Sequence, residues 1–292
     1  MFGPGSDLPV MQATPGRLRA SCEPHRLDAG FWQPRTLLAV LALFALGVVA
    51  ASAQTGAADP GVLATLARWA PLIFWGAPGE FGGFLLNIAV SFLAMAIGTV
   101  AGLFLGLGQI SLYRPVRGFC WAITQFFRNA PWLVLLFYIM FLVPFGITIL
   151  GVEIPLPSWL KATIGLSLPV MANIAEITRG AIGSVPTGQW ESAESLAFSR
   201  FQTLWRIILP QCVKRMLPPW MNWYAILTMS TPLISIVGVN DALRLTQDAL
   251  ASIGQGEMLM PMYLMILSWF FIYCYPIARF TQYLERRYHV NL

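Results

Sequence analysis

Long runs of apolar residues alternate along the chain with short polar connections. A membrane-spanning helix needs about 20 mainly apolar residues, because each residue adds roughly 1.5 Å toward a hydrocarbon core about 30 Å thick. Six segments meet this requirement: Thr36–Ala53, Gly82–Leu107, Pro131–Leu150, Trp159–Ile182, Leu217–Val239 and Met260–Phe280. Two weaker amphipathic stretches, Val62–Trp75 and Arg114–Phe127, are expected at the membrane interface. The pattern predicts an all-α integral membrane protein, a polytopic helical bundle.

Composition supports this interpretation. Hydrophobic residues make up 57% of the 292 positions and charged residues 11%, against roughly 25% charged residues in an ordinary soluble protein. The excess apolar surface therefore faces lipid. The net charge of +5 does not indicate nucleic-acid binding, since the basic residues stand singly beside apolar segments and form no contiguous patch.

The basic residues predict the orientation of the chain in the bilayer. Of the 18 Lys and Arg residues, only Arg68, Lys161 and Arg244 fall in one set of alternate connections, and all the others fall in the opposite set. Because cytoplasmic connections are enriched in Lys and Arg, both termini are predicted to be cytoplasmic.

The ends of the chain differ from its middle. Residues 1–35 are rich in Pro and Gly and are expected to form a disordered cytoplasmic tail. Residues 36–80 hold an extra helix and an external loop. Thr36–Ala50 followed by Ala51-Ser52-Ala53 also fits a cleavable signal peptide, but the long preceding tail favours an uncleaved anchor. The main transmembrane domain is expected over 81–285, and a cytoplasmic tail over 286–292.

The most informative polar segment runs from Glu176 to Gln211. Gly188-Gln189-Trp190-Glu191 is predicted to open a helix after a break at Pro186. This helix carries apolar residues at intervals among polar ones, at Ala193, Leu196, Ala197 and Leu204, and the run is expected to end at Pro210. From the residues alone, the segment is either a helix on the membrane surface or a solvated loop.

A motif in this segment adds a third interpretation to the surface helix and the solvated loop. Glu191-Ser192-Ala193, then Ala197, then Ile207-Ile208-Leu209-Pro210 resembles the EAA loop of ABC-importer permeases, placed here at about 186–211. That pattern runs Glu-Ala-Ala, three residues, Gly, nine residues, Ile-x-Leu-Pro. Ser192 replaces the usual Ala and Ala197 the usual Gly, and both exchanges keep a small side chain, as a tightly packed helix requires.

Two flanking motifs are similar to the polar amino-acid branch of these permeases. Phe127-Arg128-Asn129-Ala130-Pro131 is similar to its Phe-Arg-Gly-Thr-Pro signature, although the third and fourth positions depart from it. Glu176-Ile177-Thr178-Arg179-Gly180 and Pro186-Thr187-Gly188-Gln189 resemble the segment before its EAA loop. The likeness covers roughly residues 82–290. It implies a five-helix permease core plus one N-terminal helix, in a bacterial inner membrane, importing polar amino acids by alternating access.

The resemblance also implies partners. These are a cytoplasmic ABC ATPase dimer, a second permease subunit (identical or sibling), a periplasmic amino-acid-binding protein and membrane lipid, with no nucleic acid. The chain has no Gly-x-x-x-x-Gly-Lys-Ser/Thr motif, so Mg-ATP is expected on the partner, and no catalytic residue, cofactor or metal is expected here. In this family the EAA helix docks on the ATPase, which assigns coupling roles to Gly188 (entry turn), Glu191 (charged contact), Ser192, Ala193, Leu196 and Ala197.

Polar residues inside spanning helices are costly and usually face protein or water. The candidates for a substrate path are Asn87, Ser91, Asn173, Glu176, Asn222, Thr228, Thr231 and Ser235. Glu176 is either a ligand or gate for a substrate ammonium group or an intra-helix partner of Arg179. The asparagines fit a path or inter-helix hydrogen bonding equally well, and the hydroxyls can bond to their own helix. A separate stripe of small residues predicts close helix packing: Ala94, Gly98, Gly102 and Gly106.

Other function classes fit less well. A permease for another small polar solute is the nearest alternative, and a passive pore would need no ATPase-docking helix. An intramembrane enzyme would need convergent chemical groups, but both histidines, His25 and His289, lie in terminal polar segments.

Overall fold

The computed structural model describes residues 61–149, 152–254 and 256–288. The predicted tail and the first predicted span, Thr36–Ala53, lie outside the described residues. In chain order the helices are α1 (Val62–Trp75), α2 (Gly83–Gln109), α3 (Arg114–Asn129), α4 (Trp132–Leu142), α5 (Ser158–Gly183), α6 (Thr187–Ser195), α7 (Arg200–Thr203), α8 (Leu209–Ser230), α9 (Ala242–Ile253) and α10 (Leu259–Tyr288). A short antiparallel hairpin, β1 (Gly146–Ile149) and β2 (Val152–Pro155), separates α4 from α5.

A stripe of small residues on α2 brings α5 into close contact with it. A Cβ added at Gly102 would stand 2.6 Å from the carbonyl oxygen of Met171 and 2.7 Å from Cβ of Ile174. A Cβ at Gly98 or Gly106 would likewise come within 2.6 Å of an α5 side chain. The close packing predicted from the four-residue repeat is confirmed, since a larger residue at any of these positions would push the two helices apart.

Two apolar clusters pack against α2. One lies between α2, α4, α5 and α8 and includes Leu86, Val90, Leu136, Leu166 and Leu227, all 1% exposed or less. The other joins α1, the start of α2, α9 and α10. α8 continues past Ser230 as a 3₁₀ helix to Val237 and so reaches α2 and α4.

By length and composition, α2, α5 and the segment Gly256–Arg287 can cross a membrane. α3 and α4 pass the same test only together, as a pair bent by 107°. The all-α membrane class is thus confirmed for the described residues apart from the hairpin, whereas the number of spans stays a prediction.

One predicted span is wrong in its second half. Pro131–Leu150 was expected to be helical, but α4 ends at Leu142 and the chain turns into the hairpin. Val143 is extended, with φ −86° and ψ 124°, because Pro144 disfavours the helical conformation of the residue before it. The β-branched residues that follow favour strands. Uniform apolarity hid this change of structure.

We expect Gly102→Ala to destabilise the chain by about 1–3 kcal/mol, because the new methyl group has no room against α5. Gly180→Ala on α5 is the matched control: its Cβ meets nothing within 4 Å, so it should leave stability unchanged or raise it by up to about 1 kcal/mol through helix propensity. Thermal unfolding in detergent measures both. Equal stability of the two variants would contradict the packing described here.

Candidate functional site

The EAA-like segment begins where α5 ends. α5 ends at Gly183, and Pro186 begins α6 as its N-cap in an extended conformation. Nη1 of Arg215, on α8, donates hydrogen bonds of 2.6 Å to both the carbonyl oxygen and Oγ of Ser184. A charged donor on neutral acceptors makes a strong hydrogen bond. The end of α5 and the start of α8 are therefore tied together beside α6.

A small apolar core holds α6 against these ends. It contains Ala181, Ile182 and Val185 from the α5 side and Ile208 and Cys212 from the α8 side, each 8% exposed or less. From α6, the half-buried Trp190 packs against this core, and Ala193 is 1% exposed. One face of α6 is therefore fixed, as predicted for an amphipathic helix.

The opposite face of α6 is open. Glu191, Ser192, Glu194 and Ser195 are all exposed, and Leu196, directly after the helix, is 71% exposed. Such a highly exposed leucine at the end of a packed helix offers an apolar contact to a partner protein. Of the six predicted coupling residues, only Ala193 is buried.

Ala197 lies beyond the end of α6 and is exposed, so it does not pack within this helix as its small size suggested, whereas its predicted role in ATPase coupling stays a prediction. Ala197 has φ of +60°, in the left-handed region, where it is the only non-glycine among the described residues. The amides of Ala197 and Phe198 donate to the carbonyl oxygens of Glu194 (2.9 Å) and Ala193 (3.1 Å). This is a Schellman C-cap, in which glycine is usual, so the Gly of the family pattern has a conformational cause.

Two further details of the segment differ from prediction. Gly188 lies in the first turn of α6 without a left-handed φ, so the entry turn does not require glycine there. Pro210 does not end a helix but lies in the first turn of α8, into which a π-helical turn, Leu204–Ile208, leads without a break. Between the two helices, Ser199 and Gln202 form a capping box, and the Arg200 guanidinium lies 5.8 Å from the Trp190 ring centroid.

The structure brings two of the family-like motifs into contact through Glu176. Oε2 of Glu176 lies 2.6 Å from Nη2 of Arg179 and 3.7 Å from Nη1 of Arg128. Nε2 of Gln125 donates weakly to Oε1 at 3.5 Å. The Glu176 side chain is 15% exposed. Of its two interpretations, the structure shows the intra-helix pairing with Arg179 and adds Arg128 as a second cation.

Asn87 makes hydrogen bonds between helices, which is one of its two predicted alternatives, and the buried Asp241 that it contacts was not predicted. Nδ2 of Asn87 donates to Oγ1 of Thr231 (3.2 Å) and Oδ2 of Asp241 (3.1 Å), and its Oδ1 accepts from the amide of Ala242 (3.1 Å). Asp241 is fully buried and caps α9 by accepting from the amide of Arg244 at 2.9 Å. Desolvation raises the pKa of Asp241 to about 6, although the hydrogen bonds oppose the shift. An Asp before an apolar helix is an N-cap signal that could have revealed this residue.

The remaining path candidates do not converge on one cavity. Four hydroxyls donate to a carbonyl oxygen of their own helical segment, as expected for hydroxyls: Ser91, Thr228, Thr231 and Ser235. Asn173 does the same through its Nδ2, which donates to the carbonyl oxygen of Pro169, and this matches neither of its predicted alternatives. Asn222 is exposed on α8. Lys161, counted above as an external loop charge, is instead buried in the first turn of α5, with Nζ 3.6 Å from the centroid of the Phe145 ring.

The fold defines a helical membrane protein. Its short helix α6 packs against the ends of α5 and α8 and leaves its other face exposed. Residues 98–290 match the family described as "binding-protein-dependent transport system inner membrane component". The chain belongs to this family. It is therefore a multi-pass inner-membrane transport subunit, and family membership implies ATPase and binding-protein partners in general.

Individual relatives agree with this assignment. The chain is 36% identical over 211 residues to the probable amino-acid ABC transporter permease protein YckA of Bacillus subtilis (strain 168), covering 72% of this chain and 89% of that one. It is 32% identical to the L-cystine transport system permease protein TcyB of the same organism, covering 73% and 87%. A chain in the crystal structure of an amino acid ABC transporter with histidines superposes with a TM-score of 0.64 at 24% identity, covering 78% and 99%. That last likeness shows the fold alone.

We expect Ala197→Gly to stabilise the end of α6 by about 1 kcal/mol, because a left-handed φ strains any residue with a Cβ. The same exchange at Ala193, inside the helix, should destabilise it by about 1 kcal/mol or more. Hydrogen exchange of the Phe198 amide measures both effects: roughly fivefold slower in the first variant and at least fivefold faster in the second. Faster exchange in Ala197→Gly would contradict the assigned C-cap.

We expect the buried carboxyl of Asp241 to make the chain less stable as pH rises. Its folded pKa of about 6 lies above its value in the unfolded chain, about 3.9. Between these values the folded state holds the proton more tightly, so stability is full below about pH 4 and falls by on the order of 2–3 kcal/mol as pH rises through 6. Thermal unfolding between pH 4.5 and 7 should show a smaller decline in Asp241→Asn than in the wild type.

Asp248→Asn is the matched control for this experiment, since Asp248 is on the same helix with its side chain 54% exposed. It should retain the decline of the wild type. Parallel curves for Asp241→Asn and the wild type would show that Asp241 does not titrate in this range.

Proposed function

We propose that this chain is the permease subunit of an ATP-driven importer for polar amino acids. It works by alternating access, and a separate ATPase dimer docks on α6. A second permease subunit and a periplasmic amino-acid-binding protein complete the transporter, and both termini face the cytoplasm. The observation that carries the proposal is the packing of α6: one face packs against the apolar core between α5 and α8, and the other face is exposed.

This packing suits the transmission of motion from the ATPase through α6 to the spanning helices. A short helix that seats in a groove makes a rigid contact, and a helix packed on two spanning helices passes a displacement to them as rigid-body motion. To shift an access equilibrium from 1:99 to 99:1 takes about 5.5 kcal/mol of differential binding. ATP binding and hydrolysis on the partner supply that free energy in this proposal.

The named relatives support amino acids as the substrate. YckA is described as a probable amino-acid permease and TcyB as an L-cystine permease. Permeation of another small polar solute is the second candidate. Uptake of labelled polar amino acids by proteoliposomes containing the whole transporter and its binding protein distinguishes the two, because the second candidate predicts no uptake of any of them.

We expect Glu191→Lys to weaken ATPase docking, because it reverses the charge on the open face of α6. Co-purification of the ATPase and transport-coupled ATP turnover should fall by roughly tenfold, which corresponds to about 1.4 kcal/mol. Glu257→Lys is the matched control, since Glu257 is also exposed but lies in a predicted external connection. Membrane insertion should be normal in both variants.

The same pair of variants tests the passive-pore alternative. A pore conducts without an ATPase, so Glu191→Lys would leave its solute flux at the wild-type level. Normal ATPase association and normal ATP turnover in Glu191→Lys would contradict the docking role of α6.

A further inference from the structure

A basic cavity opens at the end of the bundle that also carries α6. It has a volume of about 600 Å³ and is lined by residues of α3 and of the C-terminal ends of α2 and α5. Four arginines and one glutamate are among the lining residues, an excess of three positive charges. A cavity of this size falls within the range of small-molecule sites, roughly 300–1,000 Å³.

Two of the four arginines have no carboxylate. Arg128 and Arg179 share Glu176. Arg114 and Arg117, in the first turn of α3, make no ion pair within the described residues. Both are exposed, so the positive charge of this half of the cavity is available to an anion from outside the chain.

α3 itself has the character of a helix lying in a membrane interface. Its cavity-lining residues include Arg114, Arg117 and Trp121, which recur at helical spacing on one face. The other side exposes Phe119 (68%) and Phe126 (66%). An interfacial helix buries its apolar face at the acyl boundary and keeps its basic face at the level of the headgroups. In this placement the arginines of α3 would lie at the level of the lipid phosphates.

A buried amide at the cavity also lacks one partner. Gln109 is 4% exposed and lines the cavity. Its Nε2 donates to Oγ1 of Thr124 at 2.8 Å, but its Oε1 has no hydrogen-bond partner in the described structure. An unpaired buried acceptor is costly, and a hydroxyl donor from a ligand would satisfy it.

We propose that this cavity binds the headgroup of an anionic phospholipid. Its phosphate lies against Arg114 and Arg117, and a headgroup hydroxyl donates to Oε1 of Gln109. Bidentate guanidinium contacts suit a phosphate, and basic pockets between membrane helices bind anionic headgroups in this way. The lipid gives α3 a role of its own, since it fastens α3 to the C-terminal end of α2 at the end of the bundle that carries α6.

The test is lipid retention by the full chain, purified with its ATPase partner in a neutral detergent and measured by native mass spectrometry. The probes are phosphatidylglycerol and phosphatidylcholine with identical acyl chains. The wild type should retain phosphatidylglycerol preferentially, and Arg114→Gln with Arg117→Gln should reduce that preference by roughly tenfold or more. Arg206→Gln with Lys214→Gln removes two exposed cations outside the cavity and should leave the preference unchanged.

A second pair of variants keeps the test independent of the arginines. Gly118 lines the cavity, and a Cβ there meets nothing within 4 Å, so side chains fit. Gly118→Glu should abolish the preference by adding a carboxylate, whereas the isosteric Gly118→Gln should retain it. Equal retention of the two lipids by the wild type, or an unchanged preference in both Gly118→Glu and the double arginine variant, would overturn the proposal.

Soluble anions separate a lipid site from a site for free phosphate. Inorganic phosphate and glycerol phosphate, at concentrations matched to the lipid, should displace phosphatidylglycerol only weakly, because they lack the acyl chains that contribute to its binding by burial in an apolar environment. Complete displacement by either anion would reassign the cavity to a soluble phosphate. None of these measurements depends on transport, so they can fail while the importer assignment holds.

Discussion

The close backbone approach of α2 and α5 is the constraint on which the rest of the structure depends. With glycine at 98, 102 and 106, α2 brings its backbone against α5 at distances that no larger side chain permits. Such contacts substitute for the hydrophobic driving force, which is absent between helices in lipid. The pair therefore forms a close-packed centre: α4 and α8 pack against both of its helices, and α1, α9 and α10 pack against the start of α2.

The two ends of the α2–α5 pair have different contacts. At one end, the buried Asn87–Asp241 contact ties the start of α2 to α9. At the other, α5 leads directly into α6 and contributes Glu176 and Arg179 to the basic cavity. We therefore expect a displacement of α6 to move α5, and with it α2, because α6 packs on the end of α5 and α5 packs closely on α2. A helix joined to α5 only through an unpacked loop would not pass a displacement of α6 on to α5.

The sequence predicted the long helices α2 and α5 closely and failed where a short apolar segment changes structure or where residues distant in sequence make contact. α2 and α5 begin and end within two residues of the predicted Gly82–Leu107 and Trp159–Ile182, since Gly and Pro mark their ends. The hairpin was missed because apolarity alone cannot separate a strand from a helix. Asn87 and Asp241 are 154 residues apart, so no local pattern relates them. The motif spacing identified Ala197, but its small side chain was explained by packing within the helix. The structure shows a positive φ instead, which a sequence motif does not reveal.

The central claim is that α5 and α6 move as one body when the ATPase acts. Pulsed electron paramagnetic resonance measures it directly, with spin labels on Gly180→Cys and Ser192→Cys, both exposed positions, after the four native cysteines are replaced. The measurement uses the assembled transporter in lipid, with and without ATP, with turnover confirmed in the same sample. We expect one narrow distance distribution that nucleotide does not change. A shift or broadening on ATP binding would show that α6 moves independently of α5, which contradicts rigid coupling.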